Sequence, residues 1–372
     1  MDTRDLELAV AGPDDDAGLR GLMRATPMDG SVSLAFAREP DFFRAARVEG
    51  DTTTVLARDP EGSVVAAFSW SVRPCWVRGK PRPLGYLSAL RVVPAWRGRP
   101  SLLRLGYARV RELMAATAAD GGQPYAITTI VSDNAPARRV LERGLPGLPR
   151  YVPQQEMVTL AAPTWRRRYR AVPGLEVRDA TDADLDAIVG LLAAEGRRSA
   201  FTPAWSADTL RDANRCRDLH VPDFVVATRG GRMVGCVALW DQSAYKQSVV
   251  HGYRGHLART RRVVNLLAPV LGVPRLPRPG EPLRHAYLSH LAIADADEQV
   301  ARAVVGFVHD RARPRRYGYL TTMLASSHPL LPVLERMLRP LRYPSMLYAV
   351  AWDDADLGGV PSERPHLEVA VL

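Results

Sequence analysis

The side chains with the clearest chemical potential lie in the segment LSALRVVPAWRGRPSLLRLGYARVRELM, Leu87 to Met114. A β-rich run through Val93 is followed by a short loop with Arg97, Gly98 and Arg99, and then by a long helix predicted to begin near Ser101. The first turn of a helix has N–H groups without intrahelical partners and about half a positive charge. With Arg97 and Arg99 beside it, such a turn is a cradle for a diphosphate. The chemistry this suggests is the holding of a phosphate-bearing co-substrate.

An internal repeat says what positions this cradle. LELAVAGPDDDAGLRGL from Leu6 matches LEVRDATDADLDAIVGL from Leu175, each a short strand, an acidic helix start and an amphipathic helix. TTTVLARDPEGSVVAAFSW matches DFVVATRGGRMVGCVALW, two hairpins with glycine in the turn. YLSALRV at Tyr86 matches YLSHLAI at Tyr287, and PYAITTIVSDNAPARRVLERGL matches YGYLTTMLASSHPLLPVLERML with Val140 over Val333. Each copy reads strand, helix, hairpin, strand, long helix, strand, helix, closing strands, an order that gives a mixed sheet with helices on its faces. The expected organisation is one domain over 1–162, a Pro- and Arg-rich linker at 163–174 and a second domain over 175–372. The second copy carries an insert at 243–283, in which the basic HGYRGHLARTRRVVNLLAPVLG runs into VPRLPRPGEP. A length of 372 residues suits two cores.

The segment around Val92, Pro94, Arg97 and Gly98 resembles the donor motif of the GNAT acetyltransferase superfamily, and SDNAPARRVLERG resembles that family's second motif through Asn134 and Ala137. The resemblance implies an α/β (α+β) fold of two tandem GNAT-like mixed sheets flanked by helices. It further implies an acyl-CoA-dependent N-acyltransferase, with acetyl-CoA as co-substrate and a small-molecule primary amine as acceptor. Carried over to this chain, the donor would lie along Leu90, Arg91, Val92 and Val93, with its pyrophosphate at Arg97, Gly98, Arg99, Ser101 and Leu102 and its thioester near Asn134. A backbone N–H such as that of Val92 would polarise the carbonyl. Pro100 and Leu102 stand at two small positions of the motif, which removes one amide donor and crowds the loop. Leu141 stands where many members have the tyrosine that protonates the leaving thiolate, so the motif supplies no general acid.

On the acceptor side the candidates for proton transfer are Tyr86 and Ser88, on one strand face with Leu90, and Tyr151 and Glu156 on the closing strands. His285 and His290 flank the matching strand of the second copy. In that copy the loop after the strand is the acidic ADADEQV, whose carboxylates would occupy the helix start and repel a pyrophosphate. The second copy is therefore expected to be a scaffold without a donor.

Bulk properties narrow the classes. Hydrophobic residues are 47% and charged residues 24%, the balance of a folded globular chain. No apolar run is long enough to cross a bilayer and the start is acidic, so a cytoplasmic protein is expected. Cys75, Cys216 and Cys236 have no CxxC spacing and read as reduced structural residues, and no metal-ligand pattern is present. The net charge of +10 admits a polyanionic partner, such as an acidic acyl carrier protein presenting the donor on its own arm. Nucleic acid is not expected, because the basic residues are scattered without a recognition motif. A carrier-protein donor and a non-catalytic binding module both stay open at this level, and no pattern in the chain sets an oligomeric state.

Overall fold

The structure, a computed structural model, describes residues 6–28, 30, 32–164, 168–271, 274–315, 317–361 and 364–372. The first copy comprises β1 (Glu7–Val10), α1 (Asp16–Ala25), β2 (Val32–Ala37), α2 (Phe42–Glu49), β3 (Asp51–Arg58), β4 (Val64–Val77), β5 (Lys80–Val92), α3 (Pro100–Ala119), β6 (Ala126–Val131), α4 (Ala135–Leu141) and β7 (Arg150–Pro163). The second comprises β8 (Glu176–Asp179), α5 (Leu185–Arg197), α6 (Ala207–Arg211), β9 (Phe224–Arg229), β10 (Arg232–Trp240), β11 (Gln247–Tyr253), α7 (Gly255–Leu271), β12 (His285–Ile293), α8 (Glu298–Ala312), β13 (Tyr319–Ala325), α9 (Leu331–Leu338), β14 (Leu341–Ala351) and α10 (Asp354–Leu357). The repeat is thus visible element by element. Two hairpins close on two-residue turns with both residues at positive φ, Arg78-Gly79 between β4 and β5 and Gly230-Gly231 between β9 and β10. That geometry matches the twist of the strands it joins.

Twelve strands form one sheet in the order β1-β3-β4-β5-β6-β14-β7-β13-β12-β10-β9-β8. The two expected mixed half-sheets are present and share a border at β14–β7. The closing strands are exchanged: β7 of the first copy pairs with β13 of the second, while β14 of the second pairs with β6 of the first. The expected linker at 163–174, of which 165–167 lie outside the described residues, therefore separates the repeats in sequence without separating the half-sheets. β7 is closed in on both sides, with Met157, Val158 and Leu160 at 0% exposure, so its two faces contribute to separate core clusters.

The insert is partly helical, as its sequence suggests, and also supplies β11, which pairs antiparallel with β2 of the first copy in a separate two-stranded ribbon. Its helix α7 exposes Val263, Leu266, Leu267 and Val270 together with Arg259 and Arg262. Among the described residues no helix is long and apolar enough to cross a membrane. The three cysteines are buried and unpaired, and burial pushes each thiol up to about 12, which leaves them protonated and inert.

Candidate active site

Strands β5 and β6 run parallel and bond only at Gly85–Ala126 and Tyr86–Ile127 before they diverge. The cause lies in β5. Ala89 has φ +52, and the register against β4 shifts between Ala67 and Ser69, the mark of a bulge that bends the strand and steepens its twist. Just before it, Gly85 lets the Trp70 indole close on the backbone, where a Cβ would sit 2.3 Å from the ring. The second copy repeats the device, with His290 at φ +53 and a register shift between Cys236 and Ala238. The sequence match YLSALRV over YLSHLAI sets Ala89 over His290, so an equivalent bulge opens both half-sheets.

In the first copy the opening leads into a cavity of about 270 Å³ between β5, β6 and α3. At one end lies the start of α3. Pro100 is its first residue, Gly98 in the preceding turn has φ +75, and Arg99 at the N-cap makes no capping hydrogen bond. Arg97 Nε donates to the Val92 carbonyl at 3.0 Å, and Arg99 packs its guanidinium 4.2 Å from the Trp96 ring centre while donating to the Ala95 carbonyl. Arg91 lines the cavity, and burial, reinforced by Arg38 and Arg97, pulls it down to about 10. Arg91, Arg97 and Arg99 concentrate positive charge at this end of the cavity, a condition that favours an anion. Pro100 costs this turn little, since proline at the first helical position gives up an N–H that lacks an intrahelical partner anyway.

Most candidate residues gather at this cavity. Leu90, Arg91, Val92 and Leu102 line it, with Leu102 buried, while Val93 turns to the neighbouring core and donates its N–H to Val65. Arg97, Gly98, Arg99 and Ser101 lie in the turn and helix start between Val92 and Leu102, both of which line the cavity, and are not themselves part of its wall. Asn134 also lines it and caps α4, its side-chain oxygen accepting from Ala137 N–H at 3.3 Å. Tyr86 sits at the vertex of the opening with its hydroxyl 2.8 Å from Thr129 Oγ1. Ser88 donates to Glu49 Oε2 at 3.3 Å. Tyr151 reaches in from β7, its hydroxyl 2.6 Å from that of Tyr107. Burial raises the pKa of both Tyr86 and Tyr151, so both phenols are protonated at neutral pH. Glu156 does not join them. It pairs with Met346 further along β7, past the register shift, and is not part of the cavity wall. Leu141, in the place of the tyrosine, closes the wall as a buried hydrophobe.

Comparison with known proteins agrees with this geometry. A GCN5-related N-acetyltransferase from Sphaerobacter thermophilus superposes over 99% of both chains with a TM-score of 0.56 at 12% identity. An N-myristoyltransferase from Saccharomyces cerevisiae, solved with bound myristoyl-CoA, covers 94% of this chain and 83% of its own, with a TM-score of 0.60 at 13% identity. A GCN5-related N-acetyltransferase from Kribbella flavida covers 98% and 81%, with a TM-score of 0.52 at 13% identity. The chain has a GNAT-type fold. No family model and no curated protein matches it in sequence.

Within this GNAT-type fold the equivalent turn and opening of the second copy are built differently. Aligning the N-caps of α3 and α8 sets Asp297 in the place of Arg99, Asp295 in the place of Arg97 and Ala296, φ +52, in the place of Gly98. The strand match of Ala89 with His290, carried on unchanged, would instead set Arg97 over Glu298; the second loop is shorter than the first, which moves the pairing. Asp297 caps α8 itself, accepting from Gln299 and Val300 N–H, and both aspartates pair with arginines, Asp295 with Arg198 and Asp297 with Arg229. Residues 364–372 then fill the opening between β12 and β13. Glu368 Oε2 accepts the His290 backbone N–H at 2.6 Å, and Leu367, Ala370 and Val371 are buried there. A void of about 60 Å³ is left beside Leu291 and His328.

His290 is enclosed by Trp205, Phe224 and Trp240, and burial pushes it down to about 3 from 6.5. The folded protein therefore binds fewer protons than the unfolded chain between these values, and stability falls as pH drops through 6.5. From pH 7 to pH 5 the loss from this residue is about 2 kcal/mol. Glu368, raised by burial to about 7 from 4.5, acts with the opposite sign over most of the same range. His290→Asn, which tolerates the positive φ, retains the Glu368 contribution, so the difference between the urea-unfolding pH profiles of variant and wild type isolates the histidine. The variant is expected to lose about 2 kcal/mol less than wild type between pH 7 and 5; parallel profiles refute this.

Sequence reasoning missed the group beneath Ser88. Glu49, 5% exposed at the end of α2, lies 3.2 Å from Arg38 Nη2 and 3.8 Å from Lys246 Nζ, and Arg73 donates to the main-chain oxygens of Glu49 and Val371. Lys246 also donates to the main-chain oxygen of Leu372 at 2.8 Å, and Leu372 touches the cavity. The four charged residues come from separate elements. Only the acidic end of one helix motif, RVEGD, could have drawn attention to Glu49.

Proposed function

We propose that the protein is an acyltransferase that moves an acyl group from acyl-CoA to a primary amine by direct attack on the thioester. The observation that carries the reading is the bulged opening of β5 continuing into a cavity whose far end is the arginine-bearing start of α3. Donor diphosphate rests at that turn with Arg97 and Arg99, and the pantetheine arm follows β5 past Leu90–Val92 toward Asn134. The carbonyl meets the backbone at the bulge. In the second copy the N–H of the matching residue, His290, already holds a carboxylate oxygen, so the equivalent N–H of Ala89, in place of that of Val92, is assigned to polarise the thioester. The N-myristoyltransferase of the same fold, solved with its acyl-CoA, supports the type of donor.

The amine approaches from the side of Ser88 and loses its proton toward Glu49 through the serine hydroxyl. Nitrogen bonds to the thioester carbon, the C–S bond breaks, and the thiolate takes a proton from Tyr151, the phenol in the cavity wall that stands in for the tyrosine missing at Leu141. Tyr151→Phe is expected to lower kcat tenfold or more with little change in KM for the donor, whereas Glu156→Gln leaves both unchanged. Equal kcat for wild type and Tyr151→Phe removes the tyrosine from the mechanism. The reading itself is tested by incubating the protein with an acyl-CoA and a panel of amines and reading thiol release. Turnover only with an acyl carrier-protein thioester would move the donor from CoA to a carrier, and no turnover with either overturns the enzyme.

A further inference from the structure

The cavity is wider than the reaction with acetyl-CoA requires. Beyond the groove along β5 it passes under α3 and across β4 and β3 to β1, where Leu8, Val55, Ala57, Ala66, Phe68 and Leu102 form its wall. This extension crosses three inter-strand spacings, about 14 Å. It runs across the strands, whereas the pantetheine arm runs along β5. All six of these side chains are apolar, which suits an alkyl chain better than phosphate or adenine. A void of about 150 Å³ already takes a benzene-sized guest, and an acetyl group has two carbons.

Gly106 keeps the chamber open. It sits inside α3, where glycine is unfavourable by roughly 1 kcal/mol relative to alanine, and no positive φ calls for it. A Cβ there would meet nothing closer than Phe68 Cε1 at 3.9 Å, so it is not needed for close helix packing. The second copy supplies the contrast. Counted from the N-cap, the same position in α8 is Val304, fully buried, which with Val300 packs down onto Gly235 of β10 and closes the space under its helix. At this position the helix over the open groove has glycine and the other has valine.

We infer that the donor is a medium-chain fatty acyl thioester, roughly six to ten carbons long as the span of about three strand spacings allows, with its chain under α3 and Gly106 as the residue that admits it. This rests on the proposed function. The transfer is the one already balanced above: the N–C bond forms, C–S breaks, and the proton displaced from the amine is balanced by the one delivered to the CoA sulfur.

The test is calorimetric titration of the wild-type chain with CoA, acetyl-CoA, hexanoyl-CoA, octanoyl-CoA and decanoyl-CoA. Each methylene that fits improves affinity by up to about fourfold, so octanoyl-CoA is expected to bind at least thirtyfold more tightly than acetyl-CoA, allowing for partial realisation. Gly106→Leu should bring that ratio down at least tenfold. Equal affinity for acetyl-CoA and octanoyl-CoA overturns the chamber assignment and leaves the acyltransferase standing. Failure of every thioester and of CoA to bind overturns the proposed function with it. If Gly106→Leu folds, as judged by its circular dichroism and urea midpoint, and still prefers octanoyl-CoA as wild type does, the chain lies elsewhere.

Discussion

Converting Arg97 and Arg99 together to aspartate is expected to weaken donor binding more than a hundredfold. The variant reproduces in the first copy the charges that the second copy carries at Asp295 and Asp297. A hydrogen bond to a charged group contributes about 1.5 to 3 kcal/mol, so losing two costs roughly 3 kcal/mol or more, over a hundredfold in Kd. Reversal adds repulsion, and an aspartate at the N-cap position can take the first N–H groups of α3 as Asp297 takes those of α8. Titration with CoA reads the loss directly, and it should shrink as salt is raised. Fold stability should hold or improve slightly, because a capped helix start is favourable. A donor affinity unchanged within threefold would mean that the diphosphate does not rest at this turn.

The second large effect concerns stability. Glu49→Gln leaves Arg38 and Lys246 facing a neutral amide in a place that water does not reach, since Glu49 and Lys246 have side-chain exposures of 6% each. Removing one partner from a buried ion pair costs about 3 to 5 kcal/mol, a large part of the stability of an ordinary domain. Burial already pulls Lys246 down to about 7 from 10.5, with Glu49 the main opposing influence. The folded chain therefore binds fewer protons than the unfolded one between pH 7 and 10.5, so stability from this residue rises with pH through that window. The deficit of Glu49→Gln should accordingly be greatest near or below pH 7 and smaller at pH 9, as the lysine is then neutral in the folded state. Adding Lys246→Met should recover a substantial part of the loss, since contacting charges do not act additively. Urea unfolding of the single and double variants measures this; a deficit below 1 kcal/mol for Glu49→Gln would show that water reaches the cluster. Because Glu49 also receives Ser88, the variant is expected to slow turnover in addition.

The features legible in the sequence are those encoded locally. Hairpins and helix starts each depend on a few neighbouring residues, so the repeat could be followed from Leu6 and Leu175 onward, and YLSALRV aligned with YLSHLAI, the two strands that carry matching bulges in the structure. The contrast between RGR and DAD at the two helix starts was legible as well, since charge at a helix end acts within a turn. Asn134 lines the cavity and the arginines stand in the turn before α3, whereas Glu156 does not reach the cavity: it pairs with Met346, four residues along β14 from Val350, the partner of Tyr151, which places it too far along the strand.

Tertiary structure alone decided the rest. Strands β7 and β14 are apolar runs ending equivalent copies, and nothing in either states whether it closes its own half-sheet or the other. That choice depends on the register and burial of strands far away in the chain, and the exchange it produces sets β14 between β6 and β7, with Tyr151 of β7 meeting Tyr107 of α3. The filling of the second opening by residues 364–372 and the meeting of Glu49, Arg38, Arg73 and Lys246 have the same origin. A charge can be read from the chain. What neutralises it when buried depends on which distant elements arrive beside it, because in a low-dielectric interior proximity in space, and not spacing in sequence, sets the energy.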